Sequence, residues 1–362
     1  MSLLVVSASD VAEVTRDLTA TALCDMLGST MHTVSKFTVE QGIVASVQNP
    51  QRITTESSLH KTLYMPSRLT NPIQGPATSI KVVASPKPEC SAPGLPATTL
   101  LMDEETGRVQ AIVNAAELTG LRTAAASALA TTILADPAAE KLVIFGSGTQ
   151  AFYHARLILE LFPSIKTVRF IVRQKTSRTN DLLSRILSRF PQLDLDAIRQ
   201  EDASDAVKLA DIICTCVPST APLFSEDDLK ARVHINAIGS YTPTMFEFPP
   251  TLISASSSGD DGTSSRIPTI LVDSRAACLH EAGELIAAGI ELEDLIEIGE
   301  LCDERGQLKA DTETAAKVDR LRRGSRKQTL FKCVGVGSMD VAVTRLVVEA
   351  ARKRGLGTLV DF

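Results

Sequence analysis

Between residues 141 and 288, short apolar runs ("KLVIFG", "TVRFIVR", "ADIICTCV", "VHINAIG", "PTILVDS") alternate with amphipathic stretches such as "QAFYHARLILELF" and "TNDLLSRILSRF". Runs that are apolar throughout suit strands covered on both faces, and the one-sided stretches between them suit crossover helices. The alternation predicts a parallel sheet with helices on its faces. Its first run leads directly into Gly146-Ser147-Gly148-Thr149-Gln150-Ala151. A strand, a glycine turn and a helix starting near Thr149 make up the dinucleotide-binding arrangement. Gly146 makes the tight turn, Gly148 lets the backbone approach a pyrophosphate, and Ala151 is small enough for close helix packing. The start of the helix adds free N–H groups for the phosphates.

The second strand of this region ends at Arg173, 27 positions after Gly146. A protein selective for NAD places an Asp or Glu there to hold the ribose 2′-hydroxyl. Here the chain reads "VRQKTSRT", with no carboxylate. Arg173, Lys175, Ser177 and Arg178 offer charge and hydroxyl groups to a 2′-phosphate, which favours NADP(H) and leaves NAD(H) possible.

At 362 residues the chain exceeds one hydrophobic core, so two domains are expected. The zone over 1–135 reads as α+β with a largely antiparallel sheet. It holds a helix over 10–30, strands at "HTVSKF" and "ATSIKVVAS", and a hairpin in "TTLLMDEETGRVQAIVN" turning at Glu-Thr-Gly. The Ser/Gly/Asp-rich segment 254–266 reads as an exposed loop. Residues 289–362 read as helical: "GIELEDLIEIGELC", "TETAAKVDRLRRGSRKQ", and "DVAVTRLVVEAARKRG" stopped by Gly355 and Gly357.

Charge and cysteine usage narrow the function. With 37 basic and 43 acidic side chains the net charge is −6, which gives no global reason to bind nucleic acid or an anionic membrane. The basic run "RLRRGSRK" reads as a solvated helix end. The apolar run at the N-terminus is only about four residues long, too short for a signal peptide or a span, so a cytoplasmic protein with a small-molecule partner is expected. The seven cysteines have irregular spacing, and Cys214 and Cys216 form neither a redox pair nor a zinc half-site. His32, His60, His154, His234 and His280 are scattered, and no metal site is predicted.

In "ELTGLRTAAASALATTIL" (117–134), Thr119 is placed to cap a turn, and Arg122 falls at a helix entry next to Thr123. A guanidinium there suits a substrate carboxylate, with help from the helix dipole. It suits equally a salt bridge pinning the domain junction.

Several of these segments, in order, are similar to one known family. "LTGLRTAAASALA", "VIFGSGTQA", "INAIGSYTP", "VDSRAACLHEAGEL" and "FKCVGVGSMDVAVTRLVVEAARKRGLGTLVDF" resemble the ornithine cyclodeaminase/mu-crystallin family. The resemblance implies an α/β homodimer built from a Rossmann domain (136–309) and an α+β substrate-binding and dimerisation domain (1–135, completed by about 310–362). It implies that Arg52 in "NPQRI" and Arg122 bind substrate, although the family's Pro-Pro-Arg here reads Pro-Gln-Arg. Lys81 in "SIKVV" matches the lysine that reaches the reacting carbon and is the implied catalytic residue. Thr123, the loop with Val217, Pro218 and Ser219, and the backbone of Val334 and Gly335 are implied to lie beside the cofactor.

One departure bears on activity. The cyclising members carry a catalytic aspartate after a glycine turn, and here that turn reads Gly239-Ser240-Tyr241. A phenol that titrates near 10 is no carboxylate at neutral pH. Glu247, six residues on, is a poor substitute. The expected activity is therefore NADPH-dependent reduction of a cyclic ketimine acid of pyrroline- or piperideine-2-carboxylate type. The alternatives are ornithine cyclodeamination, dehydrogenation of an N-substituted amino acid, and binding of NADPH and a small ligand without turnover.

Overall fold

The computed structural model describes residues 2–37, 46–71, 73–87, 89–90, 94–253, 266–324 and 326–361. Most of the proposed 254–266 loop lies outside them. In chain order the elements begin with β1 (Ser2–Val6), α1 (Ala8–Arg16), α2 (Ala20–Phe37), β2 (Val47–Gln48), β3 (Ile53–Glu56), β4 (His60–Asn71), β5 (Gly75–Pro86), β6 (Ala97–Met102), β7 (Val109–Asn114) and α3 (Ala116–Leu134). There follow β8 (Lys141–Phe145), α4 (Thr149–Leu161), β9 (Thr167–Val172), α5 (Ser177–Arg189), β10 (Asp194–Arg199), α6 (Ser204–Leu209), β11 (Ile212–Thr215) and β12 (His234–Ala237). The last are β13 (Ile270–Val272), α7 (Arg275–Glu281), α8 (Gly283–Ala287), β14 (Leu295–Glu297), α9 (Ile298–Leu301), α10 (Thr312–Leu321), β15 (Thr329–Lys332), α11 (Gly337–Arg354) and β16 (Thr358–Asp361).

The chain forms two compact units. The first takes the chain up to Arg122, Cys302–Gln307, and everything from Val336 onward; the second takes Thr123–Leu301 and Leu308–Gly335. The boundary therefore falls inside α3 and not at 135. Residues 308–335 go with the second unit, where expectation had put everything from about 310 in the first, because β15 pairs between β12 and β13.

In the first unit the sheet runs β16-β1-β7-β6-β5-β4-β2, with β3 also on β4. It is antiparallel except for the β1–β7 pair. Alternation with period two sends Leu63, Met65, Ser67 and Leu69 of β4, and Ala77, Ser79, Lys81 and Val83 of β5, to one buried face. Helix α11 packs on that face. It ends at Gly355, which takes the left-handed conformation (φ 65°) that a helix C-cap favours.

Three expectations give way here. The segment 10–30 is two helices, because Asp17 closes α1 and the Thr19 hydroxyl accepts the Ala22 N–H at 3.2 Å to start α2. "HTVSKF" is the end of α2 and not a strand: Met31 and Val34 are buried at helical spacing, and Thr33 Oγ1 donates to the Ser29 carbonyl at 2.9 Å. Packing overrides the β preference of its threonine and valine. In "GIELEDLIEIGELC", Leu295–Glu297 forms β14 beside β13, leaving only the short α9 as α-helix.

The second unit is a fully parallel sheet in the order β10-β9-β8-β11-β12-β15-β13-β14. Its core includes Val143, Phe145, Ile213, Ile235 and Leu330. The architecture is α/β: a Rossmann-type unit and an α+β unit. Two of the scattered histidines are core residues of the second unit. His154 lies 2.9 Å from Ser127 Oγ and His234 2.9 Å from Thr329 Oγ1. Burial lowers both to about 4, so they are neutral at pH 7. Among the described residues no cluster of His, Cys, Asp and Glu could hold a metal, and no helix is long and apolar enough to cross a membrane.

Candidate active site

In the first unit the site is a buried ion cluster. Lys81 is 1% exposed, opposite Met65 of β4 and Thr99 of β6 in register. Its Nζ donates to Asp340 Oδ2 at 2.7 Å, and Asp340 Oδ1 lies 3.3 Å from Arg122 Nε. An ammonium and a guanidinium thus share one carboxylate away from water. Burial is the largest influence on Lys81 and pushes it down. Asp340 opposes this, Arg122 and Arg52 reinforce it, and the group settles at about 8 against an ordinary 10.5. Of the three side chains singled out for substrate, Arg52 and Arg122 therefore both act electrostatically on Lys81. Sequence reasoning missed Asp340. The available signal was an acidic residue in the first turn of a helix whose opening stretch, "GSMDVAV", carries no other charge.

The start of α11 is held from outside the helix. Its N-cap, Val336, has no side chain able to cap it. Asn49 does so instead: its Oδ1 accepts the Ser338 N–H at 2.9 Å and the Ser67 hydroxyl at 2.6 Å, and its Nδ2 donates to Ser338 Oγ at 3.2 Å. At Gly337 an added β-carbon would meet Ser67 Cβ at 2.7 Å, so the helix start sits directly on β4. Asn49 thereby ties the "NPQR" segment, which carries the half-buried Arg52, to the turn that carries Asp340.

Arg122 is not at a helix entry. Helix α3 begins at Ala116, whose N–H bonds to Asn114 Oδ1 at 3.3 Å, and Thr119 lies inside it and donates its hydroxyl to the Ala115 carbonyl at 3.2 Å. Arg122 is well inside the helix, where the macrodipole has faded. Its orientation comes from Asp340 and from a contact of Nη1 with Met339 Sδ at 3.5 Å.

In the second unit, β9 lies on one side of β8 and β11 on the other, so the chain leaves β8 at a topological switch point, where α/β sheets bind ligands. Gly146 has φ 114°, and a β-carbon there would meet Val217 Cγ1 at 2.8 Å and the Cys216 carbonyl at 3.2 Å. Only glycine fits that turn. A β-carbon at Gly148, the N-cap of α4, would meet Arg178 Nη2 at 2.5 Å. The guanidinium of Arg178 thus stands over the glycine turn at the start of α4. This open cradle with a cation across it fits a dinucleotide phosphate group.

Arg173, Lys175 and Ser177 are exposed. Lys175 lies 3.4 Å from Asp196, beside a cavity of about 540 Å³ that is also lined by Gln174 and Arg199. Pro218 is exposed, Ser219 is half-buried, and the Ser219 carbonyl accepts the Phe246 N–H at 2.8 Å. Thr123 is buried in α3.

Two buried carboxylates shape the loops at the C-terminal ends of the strands. Asp273 accepts the Gly335 N–H at 2.6 Å and the Val334 N–H at 3.3 Å, which fixes the turn after β15 where Gly335 takes φ 84°. Glu247 accepts the Ile238, Gly239 and Ser240 N–H groups at 3.1, 2.6 and 2.8 Å, the Thr215 hydroxyl at 2.5 Å and Lys332 Nζ at 2.5 Å. Glu247 is fully buried, and each of these donors is a protein group. Its carboxylate is committed to holding the Gly239-Ser240-Tyr241 turn and cannot serve as a base for a substrate amine.

A sequence profile of the ornithine cyclodeaminase/mu-crystallin family matches residues 9–355. The chain belongs to that family. It is 30% identical over 263 residues to the Delta(1)-pyrroline-2-carboxylate reductase of Bacillus cereus, covering 73% of each chain. To the ketimine reductase mu-crystallin of Macropus fuliginosus it is 30% identical over 264 residues, covering 73% of this chain and 72% of that one. Its fold is similar to that of the Thermococcus litoralis Delta(1)-pyrroline-2-carboxylate reductase solved with NADH and L-proline. That likeness has a TM-score of 0.77 at 22% identity, over 99% of this chain and 100% of the other.

Proposed function

We propose that this family member is an NADPH-dependent reductase of cyclic ketimine acids, converting a pyrroline- or piperideine-2-carboxylate to the corresponding proline- or pipecolate-type amino acid. The observation that carries the reading is the Lys81–Asp340–Arg122 cluster. It holds a buried lysine whose proton affinity lies near neutrality beside an arginine fitted to a carboxylate. The names of the two curated relatives support the reaction class.

In this reading Arg122 and Arg52 bind the α-carboxylate, and Lys81 supplies the proton to the imine nitrogen and takes it back in the reverse direction. Gly146, Gly148, Thr149, Gln150 and Ala151 receive the pyrophosphate, and Arg173, Lys175, Ser177 and Arg178 receive the adenosine 2′-phosphate. Thr123, Val217, Pro218, Ser219, Val334 and Gly335 line the nicotinamide end. The cofactor, when bound, supplies hydride. Tyr241 stands where cyclising relatives carry an aspartate, and Glu247 is committed to its turn, which favours reduction over loss of ammonia. The test is oxidation of NADPH at 340 nm with Δ1-pyrroline-2-carboxylate or Δ1-piperideine-2-carboxylate. Proline and ammonia formed from ornithine would point to a cyclodeaminase, and cofactor binding without turnover to a binding protein.

Cofactor choice rests on the basic turn after β9. Arg173→Asp is expected to lower the NADPH/NADH ratio of kcat/KM at least about tenfold, the scale of one hydrogen bond to a charged group. Steady-state kinetics with both cofactors checks this, and an unchanged ratio removes Arg173 from the site.

We also infer a homodimer formed through the second face of the first unit's sheet. The cross-strand row Pro66, Ile80, Leu100 and Ile112 is apolar and only half-buried, and a second copy would cover it. Sedimentation velocity measures this directly, and a monomer at micromolar concentration would refute it.

A further inference from the structure

The arrangement around Lys81 leads to an inference that rests on the proposed reductase activity and deepens it. We infer that Asp340 is a positioning residue that decides the protonation state of Lys81 and the aim of Arg122, so that the working acid is the Lys81–Asp340 pair and not the lysine alone.

The geometry assigns one carboxylate to two cations. Oδ2 takes a proton of the Lys81 ammonium at 2.7 Å, and Oδ1 faces Arg122 Nε at 3.3 Å. The side chains of Lys81, Asp340 and Arg122 are 2%, 3% and 6% exposed, so water screens these charges little. Each element around Lys81 contributes a known group. Helix α11 brings Asp340, α3 brings Arg122, and the segment before β3 brings Arg52. Strands β4 and β6 bring the uncharged Met65 and Thr99. Among the described residues that act on Lys81, Asp340 is thus the anion and Arg122 and Arg52 are cations. Without it, burial and two arginines would all disfavour the ammonium.

Arg122 Nε meets Asp340 at ion-pair distance but out of line for a hydrogen bond. Asp340 therefore aims the guanidinium without saturating it, and leaves donors for a substrate carboxylate. The hydroxyls of Ser79, Thr99 and Thr344 are also buried without a hydrogen-bond partner among the described residues. Ser79 precedes Lys81 by two positions on the same strand face, Thr99 is its cross-strand neighbour, and Thr344 follows Asp340 by one helical turn. Buried hydroxyls are ordinarily satisfied, by water if not by protein.

The test compares pH profiles of imine reduction for the wild type, Asp340→Asn and Asp340→Glu, alongside the titration of the Lys81 side chain by NMR on protein labelled at lysine Cε. The Lys81→Arg variant assigns the resonance. A reductase that needs protonated Lys81 loses kcat/KM as pH rises through the lysine's pKa. The asparagine variant should move that alkaline limb down by about one unit or more, with the NMR titration following, and the glutamate variant should restore both. A purely structural role would lower activity and leave the limb where it was; that result, or an unmoved resonance, overturns the inference. If Asp340→Asn does not fold, Arg122→Gln decides the matter from the other side. With one cation removed and Asp340 left to Lys81 alone, the titration must move up, and a downward or absent shift refutes the assignment. Should the wild type reduce no imine, the functional reading fails while the NMR titration still decides the role of Asp340.

Discussion

On the proposed reading, Lys81→Met is expected to lower turnover of a cyclic imine by about a thousandfold, the scale of a lost general acid, and to leave binding of the nicotinamide cofactor intact. Methionine nearly matches the volume of the lysine stem and brings no charge. Asp340 keeps Arg122 as a partner, so the buried cluster remains neutral as a pair and the fold persists. The comparison requires kcat at 340 nm, a cofactor titration and a thermal melt on the same preparation. Retained turnover at neutral pH would remove Lys81 from the chemistry. Loss of activity together with the fold would make it structural.

The second large effect is on stability and belongs to the second unit. Lys332→Met costs about 3–5 kcal/mol at pH 7, the scale of breaking a buried ion pair. Lys332 Nζ is 2.5 Å from Glu247 and 4.0 Å from Glu284, and all three side chains are fully buried. Burial is the largest influence on Glu284 and raises it, Lys332 opposes, and the neighbouring Glu247 raises it further. In the variant Glu284 loses the cation that opposes this rise and favours the protonated form more strongly, so its folded pKa stands further above the unfolded one. Stability from such groups is present at low pH and lost as pH rises. The deficit therefore grows from pH 5 to pH 7, and urea unfolding at the two pH values measures it. An equal deficit at both would show that lost packing dominates.

Charged residues inside apolar runs were the most informative signals in the sequence, and they informed only halfway. Lys81 in "SIKVV", Glu247 in "MFEFPP" and Lys332 in "TLFKC" each stand alone among residues that must be buried, and each is buried. A buried charge requires a partner. The partners, Asp340 for Lys81 and Glu247 for Lys332, lie 259 and 85 positions away, and no local pattern couples them. Glu247 shows the consequence. Counted along the chain it is six residues from where a catalytic acid would stand, yet in space its carboxylate reaches back to the turn and is consumed by five donors.

The sequence by itself determined the two kinds of sheet, the glycine turn after β8 with its helix, the absence of a carboxylate after β9, and the family. All of these depend on local periodicity, on backbone conformations only glycine adopts, or on ordered motifs. Tertiary structure alone decided that "HTVSKF" is helical, that Thr119 and Arg122 lie inside a helix, and that Asp340 joins Lys81 to Arg122. The physical reason is the same in each case. Burial of one helix face or one charge is settled by what packs against it, and elements far apart in the chain supply that surface.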